Sequence, residues 1–337
     1  MNELDFVNNK NCIVIAEACD NHMGCMNTAI EMCNQAKLAG ADVIKFQHHL
    51  ADEEMLEDSP MSDNFEEPLY DFLKRNALSL DDHKKLSSHC DSIGITYLCT
   101  PFSYKAAKEL MELDVPGFKI GSGEMTDIPS LIKIAELGKP MILSTGMSTL
   151  DEIDQTYNAL KDKAKSLALM NCVSEYPPVY EDINLNVINV MQERYSKATI
   201  GHSDHTPDLY TCFAAVALGA KIIEKHVIID KKTPGPDQSV SIDFMELKSL
   251  VDGIRKIELA SGNEKSVHAK EEQIREWAFR SIVSIKDIKS GDIFSEDNLW
   301  TKRPGTGIPS AKLPDVLGKV AKNDIKANTL LKEEDIS

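Results

Sequence analysis

The sequence predicts an α/β protein, a (β/α)8 barrel of the TIM type followed by a small β-rich C-terminal domain. Three observations carry this. Between Cys12 and Ala260, short apolar segments alternate eight times with helix-patterned stretches. Polar residues gather where the apolar segments end, the face on which barrels of this kind carry their chemistry. Beyond Arg280 the helical pattern gives way to short β-like pieces punctuated by glycine. The 337-residue length holds a barrel of about 250 residues and a second unit.

Cys12 to Glu17 is a compact apolar strand, and the helical pattern from Asn27 to Leu38 closes at Gly40. Ala41 to Gln47 is the second strand, with Lys45 and Gln47 on one face by period two. Residues 48–80 interrupt the rhythm: the stretch is acidic and irregular before a helical pattern at 67–76, and reads either as a functional loop or lid or as a solvated surface loop. The alternation then resumes. Helices at 80–93, 104–113, 128–137, 149–160, 185–193 and 207–218 lead to strands at 96–100, 117–120, 141–144, 167–171, 198–201 and 221–226, and a last helix covers 244–260. Eight such units with right-handed crossovers close into a barrel. The expected division is a barrel at 1–262, a polar linker at 263–279 and a C-terminal domain at 280–337. A unit as small as the last folds alone only marginally, so it is expected to dock on the barrel or on a partner chain.

Composition narrows the function. Hydrophobic residues make up 42% and charged residues 27%, with no apolar run long enough to span a bilayer. Met1 to Lys10 lacks an apolar core, so no secretory signal is expected. The eight cysteines form no CxxC pair and read as reduced thiols of a cytoplasmic protein. A net charge of −17 argues against nucleic acid as a partner. An anionic small substrate must then be met by local lysines and arginines.

Candidate chemistry lies at the strand ends. Ile200-Gly-His-Ser-Asp-His205-Thr and Ile223-Glu224-Lys-His226 each run from a strand into a loop, with Ser203 facing as His205 does and Glu224 as His226. Two histidines on neighbouring strand ends beside a carboxylate form an open site for a divalent cation, or else are hydrogen-bonded rim histidines. Glu17, Lys45, Gln47, Thr100, Lys119, Ser122, Glu124, Ser144, Thr145, Ser174 and Tyr176 fall at or just past the other strand ends and converge on the same mouth. Lys45 and Lys119, with the hydroxyls of Ser122, Ser144, Thr145 and Ser174, make a pocket for a phosphate or carboxylate.

The ordered motifs Ile-Ala-Glu17, Lys45-Phe-Gln47, Thr100-Pro-Phe, Phe-Lys119-Ile-Gly-Ser122-Gly-Glu124, Leu-Ser144-Thr-Gly-Met147, Ser203-Asp-His205-Thr, Glu224-Lys-His226 and Pro234-Gly-Pro-Asp237 resemble the sialic acid (N-acetylneuraminate) synthase family. The tail, with Gly-Asp292, Asn298-Leu-Trp and Lys302-Arg303-Pro-Gly305, resembles the antifreeze-like (SAF) domain that ends those enzymes. Two departures stand out. Glu17 is followed by Ala18-Cys-Asp-Asn21-His22-Met-Gly24 where the family usually has Ile-Gly-x-Asn-His-Asn-Gly. Val173-Ser174-Glu175-Tyr176-Pro177 has the form associated with bacterial relatives that include legionaminic acid synthases.

The resemblance implies condensation of phosphoenolpyruvate with an open-chain N-acylhexosamine, such as N-acetylmannosamine or the precursor of legionaminic or pseudaminic acid. The products are a nine-carbon 2-keto-3-deoxy acid and phosphate. It implies a divalent cation, typically Mn2+ with Mg2+ or Co2+ as alternatives, held by His205 and His226. It places Lys45, Lys119, Ser122, Ser144, Ser174 and Tyr176 around phosphoenolpyruvate, and Glu17, Gln47, Glu124 and Asp237 around the sugar and the reacting centre. Thr100 and Ser203, within two of the motifs, are grouped with the substrate-binding residues. A carboxylate must handle the water that adds to C2, and Glu17 and Glu224 are the candidates. The resemblance also implies a two-fold dimer with exchanged tails, Arg303 of one subunit reaching the other's barrel mouth. The competing expectations are a Schiff-base aldolase using Lys119 or Lys45 and a carbohydrate- or ice-binding protein with an inert barrel.

Overall fold

In the computed structural model, which describes residues 4–60 and 67–337, eight parallel strands close into a barrel in chain order. They are β1 (Ile13–Glu17), β2 (Val43–His48), β3 (Thr96–Pro101), β4 (Phe118–Ile120), β5 (Met141–Ser144), β6 (Leu167–Cys172), β7 (Ala198–Asp204) and β8 (Ile222–His226). The last strand closes on the first, setting Glu17 opposite His226.

Period two sorts each strand's residues between two cores. Val14, Ala16, Ile44, Phe46, Tyr97, Cys99, Leu143, Leu169 and Ile223 point outward against the helices. Ile13, Ile15, Val43, Leu98, Ile142, Met170 and Ile222 point inward and fill the lower barrel, together with Leu4 and Phe6 from the N-terminal segment. Two residues further along the same inward rows the side chains become polar: Ile15 gives way to Glu17, Val43 to Lys45, Leu98 to Thr100, Ile142 to Ser144 and Ile222 to Glu224. The apolar plug thus supports a polar floor.

The helices are α1 (Met26–Ala39), α2 (Ala51–Glu54), α3 (Leu69–Asn76), α4 (Leu80–Ile93), α5 (Tyr104–Leu110), α6 (Ile128–Ala135), α7 (Leu150–Leu160), α8 (Tyr180–Ile183), α9 (Val187–Arg194), α10 (Tyr210–Ala217), α11 (Phe244–Ala260) and α12 (Ala269–Ala278). Their ends carry local signals. Ser79 with Asp82, Thr149 with Glu152 and Asp243 with Glu246 form capping boxes, each satisfying free N–H groups of a first turn. α1 stops at Gly40, whose φ of 87° suits a residue without Cβ.

Two expectations are corrected. β7 extends to Asp204 rather than ending at Gly201, because His202 and Ser203 pair with both β6 and β8 and Asp204 pairs with β8. The polar stretch at 263–279 is not an open linker throughout, since α12 occupies 269–278, with the backbone N–H of His268 donating to the Glu271 carboxylate at its start. The insertion after β2 contains α2 and α3; the part of the lid expectation that falls on residues 61–66 lies outside the described residues.

The chain divides after Gly262 into two compact units. The C-terminal unit pairs Ser281–Ser284 with Leu299–Lys302 antiparallel and packs Ile282, Ile288, Phe294, Leu299, Val316, Ile325 and Leu331 into its own core. Among the described residues no helix is long and apolar enough to cross a membrane.

One buried group ties the barrel's stability to pH. His83 on α4 is fully buried, its Nδ1 2.7 Å from the Tyr97 hydroxyl and its ring edge-on to His48 at 4.8 Å between centroids. Burial pushes its pKa down to about 3. The unfolded chain takes up this proton near pH 6.5 and the folded chain does not, so stability is lost progressively as pH falls from about 6.5 toward 3. Wild type is expected to lose about 2 kcal/mol more between pH 7 and pH 5 than His83→Gln does, read from urea unfolding at the two pH values. Equal losses would contradict this.

Candidate active site

One cavity of 380 Å³ opens at the C-terminal ends of the strands, a size suited to small metabolites. All but one of the barrel residues singled out from the sequence line it: Glu17, Lys45, Gln47, Thr100, Lys119, Ser122, Glu124, Ser144, Ser174, Tyr176, Ser203, His205, Glu224, His226 and Asp237. Thr145 does not, because its hydroxyl donates to the Met170 carbonyl at 2.9 Å. Arg303 belongs to the C-terminal unit, where its Nε donates to the Ala278 carbonyl at 3.1 Å and its guanidinium lies over the Trp277 ring.

The floor is a buried network of two carboxylates and two ammonium groups. Lys45 Nζ lies 2.6 Å from Glu17 and 3.7 Å from Glu224, and Lys119 Nζ lies 3.5 Å from Glu224. Lys45 also donates to Thr100 Oγ1 at 3.0 Å and Lys119 to Ser144 Oγ at 2.7 Å. Ser203 donates to Glu224 at 3.2 Å, and Gln47 to Glu17 at 3.0 Å. The two acids diverge in strength. Burial, reinforced by Glu224, pushes Glu17 up to about 7 against the pull of Lys45. Burial works the same way on Glu224, but Lys119 and Lys45 outweigh it and hold that carboxyl low. Burial lowers Lys119; it also opposes the charge on Lys45, but Glu17 and Glu224 raise that lysine on balance. Two neighbouring carboxylates set apart in this way are equipped for different roles.

Beside the floor lies an anion cradle. The Gly146 N–H donates to Ser122 Oγ at 3.1 Å. A Cβ at Gly146 would come within 2.2 Å of Ser174 Oγ and 2.8 Å of Ser122 Oγ, so only glycine lets both hydroxyls close on this backbone. With Lys119 adjoining, these donors suit a phosphate or carboxylate.

In the same cavity, His205 and His226 stand 5.1 Å apart between ring centroids, with Tyr176 stacked on His205 at 4.2 Å. His205 Nδ1 meets the Val173 carbonyl at 2.6 Å, which fixes that nitrogen as the N–H and leaves Nε2 with a free lone pair. Burial pushes His205 down to about 4 and holds His226 well below its usual value, so both are neutral imidazoles, the form that ligates metals. His226 Nδ1 is buried without a hydrogen-bond partner. A buried, unsatisfied, neutral donor next to a second one fits a divalent cation. The adjoining end of β7 is held by Asp204, which accepts from Thr211 at 2.8 Å and pairs with Lys225 at 2.5 Å.

Several lining residues escape the sequence reading. His49 stacks on Phe102 at 4.2 Å and contacts Gln47 Oε1 at 2.9 Å and Glu54 at 3.0 Å. Its signal was available, as it continues the row Lys45, Gln47, His49 one step past the strand. Leu69 and Leu73 of α3 also line the cavity, bringing the insertion to the mouth. Asp20 and Cys19 line it as well, and nothing in the spacing marks them. The loop bearing Asp237 is fastened by Asn21, whose Nδ2 donates to the Val227 carbonyl at 2.9 Å and to Ser241 Oγ at 3.0 Å.

Comparison with known proteins gives consistent matches. The NeuB family model matches residues 32–266 and the SAF domain model residues 279–337. N,N'-diacetyllegionaminic acid synthase of Campylobacter jejuni is 39% identical over 96% of this chain and 100% of its own. The enzyme of the same name from Legionella pneumophila is 36% identical over 96% of this chain and 94% of its own. The crystal structure of the N-acetylneuraminic acid synthetase of Leptospira borgpetersenii, in complex with citrate, matches at 30% identity with a TM-score of 0.72, over 78% of this chain and 90% of that one.

Proposed function

Because this chain belongs to the NeuB family and ends in a SAF domain, we propose that it is a nonulosonic acid synthase. It condenses phosphoenolpyruvate with an open-chain N-acylhexosamine to a nine-carbon 2-keto-3-deoxy acid and phosphate. One observation carries the reading: an anion cradle and a pair of neutral histidines share a single cavity floored by two lysines and two carboxylates. The cradle suits the phosphate or carboxylate of phosphoenolpyruvate, and the remaining mouth suits a polyhydroxy aldehyde. Names borne by relatives at 39% and 36% identity favour a product with two acetamido groups. Such a product calls for 2,4-diacetamido-2,4,6-trideoxymannose as the sugar.

The reaction needs a bond from C3 of the enol to the aldehyde carbon, water added at C2, and departure of phosphate with the bridging oxygen. Lys119, Ser122 and Ser174 hold the anion so that C3 faces the sugar, with the Gly146 N–H orienting the Ser122 hydroxyl. His205 and His226 would hold a divalent cation, which when bound supplies a Lewis acid for the aldehyde oxygen. Glu17, with its pKa near 7, takes a proton from the water that attacks C2. Glu224 stays ionised and keeps Lys45 and Lys119 charged and oriented. Five carboxylates, Glu17, Asp20, Glu124, Glu224 and Asp237, line the mouth against two lysines. Burial pushes Glu17 and Glu124 up to about 7 and Asp237 up to about 6, so only part of this negative charge stands against an anionic substrate near neutral pH.

Phosphate release from phosphoenolpyruvate, measured with 2,4-diacetamido-2,4,6-trideoxymannose, its altrose-configured analogue, N-acetylmannosamine and mannose, is expected to be fastest with the first. If no hexose supports release, the synthase reading is wrong. Lys119 has the lowered pKa of a Schiff-base former, but Ser144 and Glu224 occupy its ammonium group. Borohydride with pyruvate is accordingly expected to leave the chain's mass unchanged.

A further inference from the structure

Cys19 lies two residues beyond the end of β1, buried, with a φ of 46°. That is the left-handed region, which residues carrying a Cβ adopt reluctantly and which persists mainly where surrounding structure or function holds it. The side chain does not vanish into the core, for it lines the catalytic cavity. Its sulfur, a ring nitrogen of His226 and a carboxylate oxygen of Asp237 all lie within 4.8 Å of one another. Ligands at roughly 2.0–2.3 Å from one tetrahedral ion are separated by about 3.3–3.8 Å, so small side-chain rotations bring these three to one centre. His226 Nδ1, buried and without a hydrogen-bond partner, is an independent sign that this ring has a nitrogen available to a ligand. The other cysteines are placed differently. Cys33 and Cys90 face each other in the core, Cys172 sits beside Ser122 on the cradle side, and Cys25 is exposed.

We propose that Cys19 is a protein ligand of the active-site cation, acting with His226 and Asp237 beside His205, and that its sulfur biases the site toward thiophilic ions such as Co2+ and Zn2+ over Mn2+ and Mg2+. The inference rests on the reading that a divalent cation occupies the histidine pair, and extends it to the donor set. On binding, the thiol gives its proton to solvent and the sulfur lone pair turns to the ion. Softer sulfur ligation raises affinity for Co2+ and Zn2+ far more than for the oxygen-preferring ions. The left-handed backbone is then the cost of aiming a side chain from this turn into the cavity.

The test is Co2+ titration of chelator-stripped full-length protein, followed by absorption and by counting bound metal. Wild type is expected to bind one Co2+ per chain and to show a sulfur-to-cobalt charge-transfer band in the near ultraviolet. Cys19→Gly, which suits the positive φ, and Cys19→Ser should bind Co2+ without the band, with the Co2+ to Mn2+ affinity ratio falling about tenfold or more. Exposed Cys25 is common to all three proteins, and a Cys25→Ser background removes it as a source of signal. Co2+ bound to wild type without the band, or a band that survives in Cys19→Gly, overturns the thiolate ligand and leaves the two-histidine site standing. Failure of wild type to bind Co2+ at all overturns both.

Discussion

Replacing His205 and His226 together by alanine is expected to lower phosphate release from phosphoenolpyruvate by at least about 10³-fold while leaving the fold intact, since a Lewis acid at a carbonyl contributes several kcal/mol. Among the described residues the two rings hold no structural hydrogen bond beyond that of His205 to the Val173 carbonyl, and the barrel core is built from other residues. Circular dichroism should therefore overlay that of wild type. Exhaustive chelation should reproduce the loss, and Mn2+ or Co2+ should restore activity to wild type but not to the double variant. Full activity in the stripped protein, or in the double variant, would sink the assignment.

Mixing Arg303→Ala protein with His226→Ala protein, after dissociating both and letting them reassociate, is expected to recover roughly a quarter of wild-type activity from two inactive parents. If the chain forms the two-fold dimer with exchanged tails that the resemblance implies, random re-pairing makes about half of the dimers mixed, and each mixed dimer has one site with both residues intact. Among the described residues no arginine lines the barrel mouth, although an arginine fork is the usual partner for planar anionic and amide groups. Arg303 sits exposed in the C-terminal unit, on the loop following the second strand of its sheet. An exchanged tail would supply that missing group to the neighbouring barrel. If each tail serves its own barrel, every site in the mixture remains defective and no activity returns.

The barrel is legible in the sequence because buried parallel strands are short continuous apolar runs, and several carry near their ends a residue whose polarity contradicts its neighbours: Glu17 after Ile-Ala, Lys119 between Phe and Ile, Ser144 after Ile-Leu, Glu224 after Ile-Ile. That contradiction also marks the site, since a lysine or carboxylate in a strand interior is costly unless partners wait inside. Less legible is whatever lies past a strand end. β7 reads short because Gly201 and three polar residues resemble a loop, yet ladder pairing keeps them in the sheet. His49, Asp20 and Cys19 reach the cavity through turns, where no periodicity reports side-chain direction. The connector at 263–279 reads as open because it lacks an apolar stripe. It nonetheless contains α12, whose Glu276 carbonyl accepts from the Gly305 N–H and whose Ala278 carbonyl accepts from Arg303. Long-range contacts of that kind leave no trace in a local pattern.

Condensation by carbon–oxygen cleavage is tested most directly with phosphoenolpyruvate carrying 18O in its bridging oxygen, incubated with 2,4-diacetamido-2,4,6-trideoxymannose and a divalent cation. Water attack at C2 followed by expulsion of phosphate predicts that the label leaves entirely in inorganic phosphate. An equal amount of unlabelled nine-carbon 2-keto-3-deoxy acid should appear by mass spectrometry. Unlabelled phosphate, or phosphate released without any nine-carbon acid, would contradict the mechanism drawn from this site.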